Sequence, residues 1–275
     1  MPFSFTQTKS QYDPHHALEL GKASDWAYLD EAAIKVKVTT EWGISANAVT
    51  FWSVSDTQCF AVGTRQEIII AFRGTEPDNL GDWLTDADVD LKNTSLPGFV
   101  HDGFWKALEG VWSPVLAKVN TLRDNNQPIY LTGHSLGGAL AVLAAMRFVV
   151  QNDIADAIGG IYTYGQPRAG NAEFAGSVNK TFSDCYFQFA NNLDIVPHVP
   201  PATLTDYRHA GTLMYFDENG KLQCNPSPLS RLLDDVAGEA KALEAMNLFA
   251  PITDHSMDKD YLPLLESNLG VNPFA

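Results

Sequence analysis

The chain has 275 residues, of which 45% are hydrophobic and 19% charged, a balance that is typical of a folded globular protein and argues against wholesale disorder. Its formal net charge of −15 makes the surface repel phosphate backbones, so nucleic-acid binding is not expected. The sequence holds no run of about 18 apolar residues and begins without the basic and apolar parts of a signal peptide. We therefore expect no transmembrane segment and a cytoplasmic or unknown location, with secretion by another route left open.

The first 72 residues predict two helices followed by three short strands. Asp13-Pro14 is typical of a helix cap followed by proline at the first helical position. It predicts a helix to about Leu29, and a second helix is expected up to about Glu41. Strand-like runs follow at 48–54, 58–62 and 67–72, and the last of them is continuously apolar, which indicates a buried strand.

Strands and helices alternate in the rest of the chain. The predicted strands cover residues 128–132, 159–164 and 185–190. The predicted helices cover residues 104–123, 139–150, 172–179, 227–248 and 258–268. Strands separated by helices of this length need crossover connections, so a mainly parallel sheet is expected. Because the sequence contains no repeat and no Gly/Ser linker, we expect a single α/β domain over residues 1–275.

A serine between a predicted strand and a predicted helix is the first candidate for chemistry. Gly133-His134-Ser135-Leu136-Gly137 fits the pattern G-x-S-x-G, and the strand–turn–helix setting is the one that a nucleophile elbow requires. The tight turn exposes the serine hydroxyl, and the N-terminus of the following helix favours negative charge nearby. We therefore predict that Ser135 is a nucleophile, and we interpret His134 as a residue that shapes the elbow.

A serine hydroxyl needs a base that takes its proton, and in this architecture the chain order is serine, acid, histidine. His255 lies in a loop between two predicted helices and is the preferred base. The alternatives are His209, in a strand-like run, and His198, in a stiff proline-flanked segment. Asp194 follows a predicted strand and precedes the same proline-rich stretch, so we predict that its carboxylate orients the histidine.

Ester cleavage also needs N–H donors for the tetrahedral oxyanion. One donor should be the backbone N–H of Leu136, directly after the nucleophile, and the other should come from a loop after an early strand. The segment 72–76 leaves the buried strand at such a position. Thr75 in this segment is predicted to give its backbone N–H and to use its hydroxyl to fix the pose.

Six motifs occur in a fixed order along the chain. They are Ile70-Ala71-Phe72-Arg73-Gly74-Thr75, Val100-His101-Asp102-Gly103-Phe104, Leu131–Ala141 around the serine, Tyr164–Asn171, Asp194-Ile195-Val196-Pro197 and Asp254-His255-Ser256. Together they resemble the class 3 lipase family, the fungal-type triacylglycerol lipases, over about residues 60–265. The resemblance implies an α/β-hydrolase fold, a triad of Ser135, Asp194 and His255, oxyanion donors at Thr75 and Leu136, and a lid in the segment after Thr75.

Two segments of this chain bear on how a lipid would reach that site. The implied lid, about residues 76–90, carries six carboxylates, so we expect only weak interfacial activation. The helical stretch at 227–248 is interpreted either as a cap over the acyl groove or as a helix packed on the sheet. The candidates for contact with an acyl chain are Leu80, Trp83, Leu84 and Val196.

These features predict a serine carboxylester hydrolase that acts on acylglycerols or similar esters without a cofactor or a metal. The alternatives are a phospholipase A1 or an aryl or feruloyl esterase with the same triad. A rival of another class is a catalytically silent lipid-binding module, which the loss of a triad member would favour, and none is lost. We predict a monomer whose partners are a lipid or ester substrate and, transiently, a lipid surface.

Overall fold

The computed structural model describes residues 12–76, 89–225 and 254–274, apart from residues 153, 193, 203 and 204. Most of the predicted lid, residues 77–88, and all of the predicted helix at 227–248 lie outside these ranges. The expected division of the chain into one domain, a lid and a helical insertion therefore stays a prediction. Among the described helices, none combines the length and the apolar character that crossing a bilayer requires.

The described elements confirm the alternation of helices and strands. The helices are α1 (Pro14–Trp26), α2 (Glu31–Glu41), α3 (Asp102–Leu122), α4 (Leu136–Asn152), α5 (Ala172–Phe182) and α6 (Leu262–Ser267). The strands are β1 (Val49–Val54), β2 (Thr57–Gly63), β3 (Ile68–Phe72), β4 (Leu91–Asn93), β5 (Phe99–His101), β6 (Ile129–His134), β7 (Ile158–Tyr164), β8 (Gly170–Asn171), β9 (Tyr186–Asn191), β10 (Tyr207–Arg208), β11 (Thr212–Phe216) and β12 (Leu222–Cys224).

Eight strands form the central sheet in the order β1-β2-β3-β6-β7-β9-β11-β12. The five strands from β3 to β11 are parallel, and the antiparallel pairs lie at the two edges of the sheet. Helices cover both faces, because α3, α4 and α5 belong to one buried apolar cluster and α1, α2 and α6 to another. This is the mainly parallel, helix-flanked sheet that the sequence predicts, and it is the arrangement of an α/β-hydrolase fold.

The strand β3 shows why a continuous apolar run predicts a buried strand. Ile68, Ile70 and Phe72 point into one apolar cluster, while Ile69 and Ala71 point into the other. Successive side chains of a strand face opposite sides of the sheet, and here helices cover both sides. All five positions must therefore be apolar, and the strand leads directly into the loop that carries the predicted oxyanion donor.

The N-terminal helix is attached to the sheet by polar as well as apolar contacts. Asp13 caps α1 as predicted, and its carboxylate accepts a hydrogen bond from the His15 N–H at 2.7 Å. Farther along the helix, the Ser24 hydroxyl is 2.7 Å from the hydroxyl of Thr132 on β6. The end of α1 is thereby held over β6, the strand that leads into Ser135.

Two features differ from the sequence-based expectation. A small second sheet, in the order β10-β8-β5-β4, is made of strands of two or three residues, which are too short to leave a periodic pattern. The helix expected at 258–268 begins instead as a wider turn at Met257–Tyr261 and becomes α-helical only in α6. That wider turn points Tyr261 towards the candidate site.

Candidate active site

Ser135 occupies the tight turn between β6 and α4. Its φ of +56° is in the left-handed region, which is costly for a residue with a side chain and is typical of a nucleophile elbow. The flanking glycines permit this turn: a Cβ at Gly133 would lie 2.2 Å from the backbone of Gly137, and one at Gly137 would lie 2.1 Å from the Phe72 carbonyl. The Ser135 N–H donates to the Tyr164 carbonyl at 2.9 Å, which ties the elbow to β7.

Asp194 is held by donors on both of its carboxylate oxygens. Oδ1 accepts the backbone N–H of Val196 at 2.9 Å. Oδ2 accepts the Tyr261 hydroxyl at 2.6 Å and is 2.7 Å from Nδ1 of His255. The carboxylate is 1% exposed and His255 is 5% exposed. With Nδ1 donating to a buried carboxylate, Nε2 of His255 is the nitrogen left to accept a proton.

Gly165 lies between the turn that carries Ser135 and the Asp194–His255 pair. This residue follows Tyr164, which accepts the Ser135 N–H, and its φ is +56°. A Cβ at Gly165 would lie 2.7 Å from Cε1 of His255 and 2.7 Å from Oδ2 of Asp194. Glycine is therefore required if the backbone beside the elbow is to lie this close to the acid–base pair.

Oγ of Ser135 and Nε2 of His255 are both buried without a hydrogen-bond partner among the described residues, and so is Nε2 of the neighbouring His134. Buried polar atoms are normally paired, and those that are not often have a chemical role. Here Oγ of Ser135 belongs to a hydroxyl, and Nε2 of His255 is the acceptor that would take its proton. Such catalytic hydrogen bonds are often long before substrate binds.

The alternative base His209 is engaged elsewhere. Gln188 donates to its Nδ1 at 2.8 Å, and its Nε2 donates to the Pro197 carbonyl at 2.5 Å. Burial, with the nearby charge of Arg168, lowers the pKa of His209 to about 3. His198 ends a short 3-10 turn at Val196–His198. The structure thus brings His255, and neither of the alternatives, onto Asp194.

The predicted oxyanion donors lie on either side of the elbow. Thr75 follows Gly74 in the loop after β3, and a Cβ at Gly74 would be 3.0 Å from Cβ of Ser135. Leu136 is the first residue of α4, and the first N–H groups of a helix have no acceptor within the helix. Both backbone segments therefore lie beside the elbow, and their role as oxyanion donors stays a prediction.

The acyl-chain candidates are only partly described. Leu80, Trp83 and Leu84 lie outside the described residues, so their contact with an acyl chain stays a prediction. Val196 is fully buried, and its described role is the backbone hydrogen bond to Asp194. Glu76, the first residue of the predicted lid, forms an ion pair with Arg73 at 2.7 Å.

Two tyrosines at the site were not anticipated from the sequence. Tyr261 donates to Asp194, and its oxygen also accepts the Asn191 N–H at 3.1 Å. Tyr28, in the turn after α1, has its hydroxyl 2.8 Å from Nδ1 of His134. Neither tyrosine belongs to one of the six motifs, and each is more than 60 residues from its partner, so no local pattern indicates these contacts.

Comparison with known proteins places this site in a family. Residues 69–204 match the family model described as lipase (class 3), a range that contains Ser135, Thr75 and Asp194. The chain is 29% identical over 263 residues to triacylglycerol lipase OBL1 of Arabidopsis thaliana, covering 75% of this chain and 50% of that protein. It is 33% identical over 157 residues to secreted mono- and diacylglycerol lipase 1 of Fusarium solani, covering 56% and 45%.

A solved structure agrees in fold. The triacylglyceride lipase of Rhizomucor miehei superposes with a TM-score of 0.65 at 24% identity, covering 82% of this chain and 95% of that one. The chain spans half or less of the length of the curated relatives named above. With the family match, the ordered motifs and the shared fold, the chain belongs to the class 3 lipase family.

Proposed function

We propose that this protein is a serine carboxylester hydrolase that cleaves acylglycerols or similar lipid esters through an acyl-enzyme. The observation that carries the proposal is the buried Asp194–His255 pair, joined at 2.7 Å, beside a serine at φ +56° in a strand–turn–helix elbow. The names of the relatives support lipid esters as the substrate class, because both are lipases of acylglycerols.

The first half of the reaction forms the acyl-enzyme. Ser135 Oγ attacks the ester carbonyl while its proton passes to Nε2 of His255, and the carbonyl oxygen becomes an oxyanion between the N–H groups of Thr75 and Leu136. Asp194 keeps the imidazole in the tautomer that can accept this proton and stabilises the imidazolium. When the tetrahedral intermediate collapses, the proton on Nε2 is given to the leaving alcohol.

The second half releases the fatty acid. Water takes the place of the alcohol, and His255 removes one of its protons as the water attacks the acyl carbonyl. The oxyanion forms again in the same place, and its collapse returns the proton to Ser135 Oγ. Each group is used twice, so one acid–base pair serves both halves of the cycle.

The test is hydrolysis by the wild type and by Ser135→Ala, with the exposed Ser183→Ala as the matched control. We expect Ser135→Ala to fold and to lose nearly all turnover, retaining less than about 1% of kcat, while Ser183→Ala keeps it. A panel of p-nitrophenyl esters of graded length, triolein and phosphatidylcholine identifies the substrate class. A folded wild type that hydrolyses none of them would contradict the proposal and favour a lipid-binding module.

A further inference from the structure

One tyrosine contacts both catalytic segments of the site without taking part in the acyl-transfer scheme. The hydroxyl of Tyr28 is 2.8 Å from Nδ1 of His134, next to the nucleophile Ser135. The same oxygen lies against Gly74, where an added Cβ would be 2.3 Å away. Gly74 directly precedes Thr75. A single phenol therefore contacts the elbow and the oxyanion loop at once.

His134 connects this phenol to the base. The rings of His134 and His255 lie with their centroids 4.3 Å apart and their planes at 37°. Burial lowers the pKa of His134 well below its usual value, and the nearby His255 side chain lowers it further, so the ring is neutral. A neutral imidazole has one acceptor nitrogen. We assign that role to Nδ1, which faces the Tyr28 hydroxyl, whereas Nε2 has no hydrogen-bond partner among the described residues.

Tyr28 is suited to donate to that acceptor. Burial raises the pKa of Tyr28, and the negative charge of Glu76 raises it further, so the hydroxyl keeps its proton across the physiological pH range. A protonated hydroxyl facing a neutral ring nitrogen gives a hydrogen bond in which neither partner is charged. Such a bond holds the elbow at His134 and the oxyanion loop at Gly74 at a constant separation.

We propose that Tyr28 and His134 form a positioning pair that fixes the oxyanion loop at the working distance from Ser135. The inference rests on the proposed function, because the pair acts through the N–H of Thr75, and neither residue of the pair gives or takes a proton in the proposed reaction. Without the phenol oxygen, Gly74 loses the group that packs against it, and the Thr75 N–H moves relative to the oxyanion. Since the oxyanion is present in the tetrahedral intermediate and in the transition states on either side of it, but not in the bound ester, kcat should fall and KM should not.

The first test is Tyr28→Phe, which removes one oxygen atom. On a soluble p-nitrophenyl ester we expect kcat to fall by about tenfold with KM within about twofold, because small displacements of catalytic groups have large effects on rate. The matched control is Tyr130→Phe, a buried phenol at the opposite end of β6, which should leave kcat within about twofold. If kcat is unchanged in Tyr28→Phe, or if only KM changes, Tyr28 and His134 do not position the oxyanion loop and the proposal is wrong.

The second test asks whether the two residues act together. In a His134→Ala background, Tyr28→Phe should cost less than about twofold, because contacting residues that act through one bond are not additive. His134→Asn, which keeps a side-chain acceptor, should recover part of the loss. Full additivity of the two losses overturns the proposal.

The third test uses a tetrahedral analogue. An alkylboronic acid forms a bond from Ser135 Oγ to boron as the serine proton moves to His255, and the resulting boronate carries an oxygen in the oxyanion position. Its affinity should fall in Tyr28→Phe by about the same factor as kcat. An affinity that does not change while kcat falls shows that the phenol acts elsewhere, and the positioning pair is then wrong.

A measurement on the wild type covers the case in which a variant does not fold. In protein labelled with ¹⁵N-histidine, we expect His134 to be the neutral Nε2–H tautomer from pH 5 to pH 8. An Nδ1–H tautomer, or protonation of His134 in that range, overturns the pair. Failure of the proposed function looks different: the wild type would then hydrolyse no ester and bind no boronate, whatever the tautomer of His134.

Discussion

Acid should destabilise the folded protein through His209. Burial, with the charge of Arg168, lowers the pKa of this histidine from 6.5 to about 3, whereas in the unfolded chain it returns to about 6.5. Between these values the unfolded state binds a proton that the folded state does not. The contribution of the neutral histidine to stability is therefore complete above about pH 6.5 and is lost as the pH falls towards 3.

The size of this effect follows from the two pKa values. At pH 5 the folded imidazole is neutral and the unfolded one is almost fully protonated, which lowers the free energy of unfolding by roughly 2 kcal/mol relative to pH 8. The assay is urea unfolding of the wild type and of His209→Gln at both pH values. The amide cannot be protonated but can still donate to the Pro197 carbonyl, so it isolates the titration from the hydrogen bond.

The stability difference between the wild type and His209→Gln should shift by about 2 kcal/mol in favour of the variant between pH 8 and pH 5. Other buried histidines, such as His134, are present in both proteins and cancel in this comparison. The variant should also keep its esterase activity at pH 8, because His209 is not the proposed base. A stability difference that is the same at both pH values would refute the reasoning.

Three further predictions concern the site and its access. Gly165→Ala places a Cβ 2.7 Å from Oδ2 of Asp194 at a position with positive φ, so kcat should fall by more than about 100-fold. The control is Gly176→Ala, whose added Cβ has no atom within 4 Å and which should keep the wild-type kcat. Equal activities of the two variants would contradict the close approach of Gly165 to the acid–base pair. Tyr261→Phe leaves the buried Asn191 N–H unpaired and removes one donor to Asp194, so the free energy of unfolding should fall by about 1–3 kcal/mol, and an unchanged urea midpoint would count against this network. If the acidic segment 76–90 is a lid, activity on a short-chain ester should rise smoothly through the solubility limit. It should also be lower on anionic than on neutral vesicles, and this difference should shrink as salt is added. A sharp jump in rate at the solubility limit would show instead that lipid surfaces activate the enzyme.

Six of the eight strands of the central sheet were predictable because their signals are local. The apolar run of β3, the helix cap at Asp13 and the glycine pattern around Ser135 each depend on a few neighbouring residues, and the structure confirms the elements that they predict. The strand-like run around His209 is confirmed in part by β10, and the elements that were missed are β4, β5, β8, β11 and β12. Most of these have two or three residues, so they depend on partners far along the chain rather than on their own sequence.

The residues of the site also fall into two groups, those that the local sequence predicts and those that only the folded structure brings into place. Ser135 follows from its local motif, and Asp194 and His255 follow from chain order and from their positions after a strand and in a loop. The residues that hold this set in place do not: Tyr28 and Tyr261 meet their partners only after the helices pack on the sheet. The requirement for glycine at position 165 likewise arises from a contact with His255 that no sequence window contains.

The most direct test of the account is the reaction of the protein with a fluorophosphonate, followed by mass spectrometry of the labelled peptide. Only an activated serine displaces the fluoride, so the account predicts a single label on Ser135 and reaction that slows by orders of magnitude in His255→Ala. His209→Gln should react at the wild-type rate. A label on another residue, or full reactivity of Ser135 without His255, would contradict the claim that Asp194, His255 and Ser135 work as one catalytic unit.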